Sequence, residues 1–125
     1  MATSQNPVNW FEIPVTDIAR ATAFYQKVLD LTLSPMQMGP ATMATFPMVQ
    51  DGPHATGCLI ASEGYTPSHA GTVVYFAVPD IEAALDRVTA SGGKTLVPKM
   101  SIGEHGFVAH FEDTEGNRAA LHAMS

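Results

Sequence analysis

Two stretches of this chain repeat one another at an offset of 63 residues, about half of its 125-residue length. Phe11-Glu12-Ile13-Pro14-Val15-Thr16-Asp17-Ile18-Ala19-Arg20-Ala21 runs an apolar strand into a Val-x-Asp-Ile corner and then into a helical pattern. Tyr75-Phe76-Ala77-Val78-Pro79-Asp80-Ile81-Glu82-Ala83-Ala84 does the same. One such unit alone would leave a sheet face and strand edges bare, so the two copies have to pair. The duplication predicts a pseudo-twofold arrangement with a cavity between the copies, and functional groups are sought in that cavity.

Periodicity predicts the same elements in each half. Residues 8 to 16 read as a strand, with Val8, Trp10 and Glu12 on one face and Phe11, Ile13 and Val15 on the other. Asp17 stands at a helix N-cap, where its carboxylate can accept from unpaired backbone amides. The helix that follows places Ile18, Ala21, Tyr25, Val28 and Leu29 along one stripe. Short strands are expected near 32–38, 41–49 and 56–62, with Pro35 and Pro47 confining two of them to edges or bulges. A turn-rich linker, 63–70, separates a first module (8–62) from a second (71–124). There a strand at 72–78 leads to a helix capped by Asp80 and stopped by Gly92-Gly93, then to strands near 94–98, 106–112 and 118–124. The fold class is therefore α+β, a single domain of two βαβββ modules.

Composition removes several function classes. With only six Lys plus Arg and a net charge of −6, the chain lacks the clustered basic residues that phosphate backbones require, so nucleic acid is not an expected partner. No apolar run approaches the ~20 residues of a membrane-spanning helix. The stretch Met1–Pro7 has neither the basic nor the apolar region of a signal peptide, and the single Cys58 has no internal disulfide partner. Both point to a cytoplasmic protein with no membrane partner. No nucleophile elbow, phosphate loop, dinucleotide fingerprint or paired-cysteine motif is present.

Val15-x-Asp17 leading to Ala23-Phe24-Tyr25, together with Phe111-x-Asp113-x-x-Gly116-Asn117, resembles the vicinal oxygen chelate superfamily of glyoxalase I, bleomycin-resistance proteins and extradiol dioxygenases. Trp10-Phe11-Glu12-Ile13-Pro14-Val15 is similar to a glyoxalase-like branch of it. The resemblance covers nearly the whole chain. It implies sheets that curl around a small-molecule cavity, often in a homodimer, and in some members a divalent metal held by His, Gln or Glu. The matching ligand positions here are Trp10, Val73 and Ala120, none of which can donate to a metal. No cofactor is therefore expected.

Strand alternation then names the inward-facing groups. If Trp10 faces inward, so do Glu12, Tyr75, His110 and His122. A carboxylate beside an imidazole in an apolar pocket suits proton transfer next to a carbonyl, which makes Glu12 and His122 the candidate catalytic pair. Trp10, Tyr75 and His110 are the candidate substrate-binding residues. Alternatives stay open: Glu12 and His122 as a structural pair, a shifted divalent-metal site built from Glu12, His110 and His122, or a protein that sequesters a small apolar molecule on Trp10 and Tyr75. His54, His69 and His105 read as loop residues, and Cys58 as a small buried apolar one.

Overall fold

The structure, a computed structural model, describes residues 6–125; residues 1–5 of the stretch read for targeting features lie outside them. The first half forms β1 (Trp10–Pro14), α1 (Ile18–Leu29), β2 (Ser34–Met38), β3 (Ala41–Thr45) and β4 (Thr56–Ala61). The second forms β5 (Tyr75–Ala77), α2 (Ile81–Ala90), β6 (Lys94–Ser101), β7 (Phe107–Glu112) and β8 (Arg118–Ala123), with a 3-10 turn at Gly103–His105. Each half makes one four-stranded mixed sheet, in the orders β1-β4-β3-β2 and β5-β8-β7-β6. In each, the first strand pairs parallel with the last. The α+β duplication read from the sequence is present, and the sheets curl without closing.

Several strands are shorter or longer than periodicity suggests. Of the 72–78 run only Tyr75–Ala77 forms the strand, although Val74 and Val78 still bond to β8 through the Ala120 amide and the His122 carbonyl. β3 stops at Thr45, two residues before Pro47. β6 extends to Ser101 through Pro98, which is possible because β6 is an edge strand with register shifts along its pairing. Pro35 likewise lies on the edge strand β2.

Both helices start as their sequences dictate. Asp17 Oδ1 accepts from the Arg20 amide at 3.0 Å, and Asp80 Oδ1 from the Ala83 amide at 3.1 Å. Their apolar stripes and the helix-covered faces of both sheets meet in one core that includes Ile13, Phe24, Tyr25, Val28, Ile81, Val88, Phe111 and Leu121. Because both sheets turn the same kind of face to this shared core, their helix-free faces point outward. Trp10 and Glu12 are on that outer side of the first sheet, and Tyr75, His110 and His122 on that of the second.

The turn after β7 ties the halves together. Tyr25 donates its buried hydroxyl to Asp113 Oδ2 at 2.7 Å, and the other carboxylate oxygen accepts from the amides of Glu115 and Asn117. Asn117 Nδ2 donates to the Pro14 carbonyl at 2.7 Å. Glu115, its side chain fully buried, accepts from the Thr16 and Asp17 amides, the Thr16 hydroxyl and the Arg20 guanidinium at 2.7–3.0 Å. A residue of the second module thus caps the first helix of the other.

Burial alone would raise the Glu115 pKa. The bonds from Arg20, the Asp17 and Thr16 amides and the Thr16 hydroxyl outweigh it and hold the pKa at about 2. A carboxylate with a lowered folded-state pKa contributes stability above its unfolded value near 4.5, and that stability is lost as pH falls toward 2. With Arg20 half exposed and screened, the contribution is about 2 kcal/mol. Urea titrations of the wild type and Glu115→Gln at pH 7 and pH 3 are expected to show a gap that narrows at the lower pH. An unchanged gap would contradict the assignment.

Candidate active site

Alternation along β5, β7 and β8 puts Tyr75, His110, Glu112, Arg118 and His122 on the helix-free face of the second sheet. Three of them, Tyr75, His110 and Arg118, form a connected polar group. The Tyr75 hydroxyl lies 3.0 Å from His110 Nε2, and Arg118 Nη1 lies 2.9 Å from His110 Nδ1. The Tyr75 and His110 rings meet edge to face at 5.5 Å. Partial burial and the neighbouring Arg118 charge lower the His110 pKa, favouring the neutral ring. Glu112 is engaged by His69 at 2.8 Å and Lys94 at 3.7 Å.

His122 Nε2 lies 2.7 Å from the His105 carbonyl oxygen, which only accepts. Nε2 therefore carries a hydrogen, and in the neutral ring Nδ1 holds the free lone pair. A histidine oriented in this way by a backbone carbonyl is a positioned proton acceptor.

Glu12 stands apart from these residues, on β1 of the first sheet opposite Cys58. Its carboxylate faces Tyr65 of the linker, without the geometry of a full hydrogen bond. That approach and its negative charge raise the Tyr65 pKa. Burial, reinforced by the Glu12 charge, pushes Cys58 up to about 11, which keeps that thiol protonated and unreactive. Trp10, two residues earlier on the same face, is 38% exposed. Among the described residues no hydrogen bond or ion pair joins Glu12 to His122 within one chain. The structure brings Tyr75 and His110 together, adds Arg118, and leaves Trp10 and Glu12 on the other sheet.

A metal does not fit these side chains within one chain. Trp10, Val73 and Ala120 carry no donor atom suited to a divalent ion, and among the described residues no three His, Cys, Asp or Glu side chains converge. That includes Glu12, His110 and His122.

A separate cleft lies mostly on the first module, with Phe76 and Ala77 of the second in its lining. It measures about 820 Å³, and Phe11, Phe46 and Phe76 form its floor, with Leu29, Leu31 and His54 among its walls. The three rings sit 5.6–5.9 Å apart. Phe11 and Phe76 are strand positions facing away from Trp10, Glu12 and Tyr75, so this cleft is separate from the face that alternation singled out. Gly57 permits this arrangement, because a Cβ there would run into the carbonyl and ring of Phe11.

The model of the Glyoxalase/Bleomycin resistance protein/Dioxygenase superfamily matches residues 8–121. The chain belongs to this superfamily. A glyoxylase-like domain-containing protein of Didymella fabae is 32% identical over 123 residues, covering 91% of each chain. CFP32 of Mycobacterium bovis is 29% identical over 124 residues, 94% of this chain but 45% of that protein. Among solved structures, a glyoxylase/bleomycin resistance protein/dioxygenase domain from Frankia superposes with a TM-score of 0.71 at 16% identity, covering 98% of this superfamily member and 100% of that chain. A Zea mays glyoxalase I mutant gives 0.70 at 20% identity, covering 94% and 46% respectively. The chain thus spans about half the length of some of the relatives it matches.

Proposed function

We propose that this glyoxalase-like protein is a cytoplasmic enzyme that moves a proton on a small carbonyl or enolisable compound, using a site that needs no metal and that a homodimer completes. The observation that carries the reading is His122, whose Nε2 hydrogen is taken by the His105 carbonyl while Nδ1 is left basic on the face that holds Tyr75 and His110. His122 Nδ1 removes a proton from the carbon beside the carbonyl, and the electron pair moves onto the carbonyl oxygen. In a hydroxycarbonyl substrate the carboxyl group of Glu12 then delivers a proton to the former carbonyl carbon while the hydroxyl proton passes to the enolate oxygen; His122 gives its proton to solvent as Glu12 regains one, so the net change is an isomerisation.

Glu12 reaches this chemistry from a second copy, because the two helix-free faces of one chain point outward. Each of β1 and β5 has one unpaired edge, and Trp10 and Tyr75 are 38% and 50% exposed. Relatives of twice this length have room for a second unit of the same size. Sedimentation equilibrium is expected to give a dimer. Incubation with small hydroxyketones and ketoaldehydes in deuterated water is expected to give exchange at the carbon beside the carbonyl. Exchange that persists unchanged in both His122→Asn and Glu12→Gln would sink the reading.

This open cleft favours a second reading, a binding protein for a small aromatic molecule. Its floor is three phenylalanines, and the only imidazole in its lining is that of His54. On that reading aromatic ligands raise the melting temperature, Leu31→Trp fills the space and removes the effect, and His122→Asn leaves it intact.

A further inference from the structure

The arrangement around His110 restricts where each hydrogen can be. A guanidinium has donors and no acceptor, so the contact of Arg118 Nη1 with His110 Nδ1 at 2.9 Å requires a lone pair on Nδ1. The single ring hydrogen of neutral His110 is then on Nε2. At 3.0 Å from the Tyr75 oxygen, Nε2–H donates to it. The phenol oxygen is the acceptor in that bond, and its own hydrogen is not used there.

Arg118 is available for this because its opposite number in the β7–β8 register, Glu112, is engaged elsewhere. Glu112 pairs with His69 and Lys94, and Arg118 instead reaches diagonally to His110. The lowered His110 pKa agrees with a ring that stays neutral beside a fixed cation.

We propose that Arg118 and His110 are positioning residues that turn the Tyr75 hydroxyl into a one-way hydrogen-bond donor for a carbonyl or enolate oxygen of a small ligand. This deepens the proton-transfer reading and rests on it for the ligand class. It assigns the second sheet the electrophilic side of the site, where negative charge developing on a carbonyl oxygen would be met by a preorganised O–H. Truncating Tyr75 removes the donor, whereas truncating Arg118 frees the tautomer and lets the hydroxyl donate back to His110.

Long-range proton–nitrogen correlation spectra of the wild-type protein test the relay without any ligand. The expected result is a pyrrole-type Nε2 and a pyridine-type Nδ1 for His110, a tautomer mixture in Arg118→Met, and the wild-type pattern again in Arg118→Lys. A pyrrole-type Nδ1 in the wild type would overturn the inference, whatever the activity of the protein.

The ligand class is tested with pyruvate and propionate, which differ by the keto oxygen. Wild-type protein is expected to bind pyruvate about tenfold more tightly, a ratio typical of one neutral hydrogen bond. Tyr75→Phe is expected to erase the ratio while leaving the His110 spectrum of a neutral ring. Equal ratios in the two proteins, or no binding of pyruvate at all, would overturn the assignment of the hydroxyl to a carbonyl oxygen. Loss of proton exchange with the relay intact would count against the proposed reaction and not against the relay.

Discussion

Asp113→Ala is expected to lose about 3–5 kcal/mol of stability, the largest effect of any single truncation outside the apolar core. Asp113 is 3% exposed and accepts four hydrogen bonds, from Tyr25, Asn117 Nδ2 and the amides of Glu115 and Asn117. Alanine leaves the Tyr25 hydroxyl buried without a partner and frees the turn that holds Glu115 against α1. Tyr25 is fully enclosed, and burial together with the Asp113 charge raises its pKa well above the ordinary phenol value, so the hydroxyl acts only as a neutral donor. Urea unfolding followed by circular dichroism checks the size. Tyr25→Phe removes the donor as well, so a double variant with Asp113→Ala should lose much less than the sum of the two. A loss under about 1 kcal/mol for Asp113→Ala would show that the turn is not what joins the modules.

Under the proton-transfer reading, His122→Asn is expected to slow exchange beside a substrate carbonyl by about 10²–10⁴-fold, the usual worth of a positioned base. Asparagine retains an amide N–H for the His105 carbonyl but has no group that takes up a proton near neutral pH. Stability should change little, since His122 is only half buried and its contact is with a surface turn. Exchange measured by proton NMR in deuterated water, with unfolding midpoints of both proteins in parallel, separates the two effects. A slower rate with an unchanged midpoint supports His122 as the base. Full activity would move that role to another group.

Much of the fold was legible because the signals are local. Period-two alternation placed Phe11, Ile13 and Phe76 on the core side and Trp10, Glu12 and Tyr75 on the other, and Asp17 and Asp80 cap the helices they precede. What stayed hidden depends on partners far apart in sequence. Tyr25 read as one more residue of an apolar stripe, yet its hydroxyl is joined to a carboxylate 88 residues away. Glu115 falls on an unspecified position of the Phe111-x-Asp113-x-x-Gly116-Asn117 motif, and its role as a cap for α1 arises across 98 or more residues. The site shows the same division. Alternation grouped Tyr75, His110 and His122; Arg118 shares their face, but only its contact with His110 singles it out. Whether Glu12 shares their space depends on how the two sheets dock, which no window of sequence encodes. The cleft lined by Phe11, Phe46 and Phe76 also lay outside that reading, because it forms from packing between residues far apart in sequence.

The turn from Asp113 to Asn117 also sets the order in which the protein can be made. During synthesis the N-terminal half leaves the ribosome first, with α1 lacking the Glu115 cap and Tyr25 lacking its acceptor. Both come from a turn 88 to 98 residues further along the chain. The first module therefore waits, incomplete, until that turn of the second has been made. A stalled or truncated chain ending before Asp113 would be a substrate for chaperones and proteases, not a half-sized working protein.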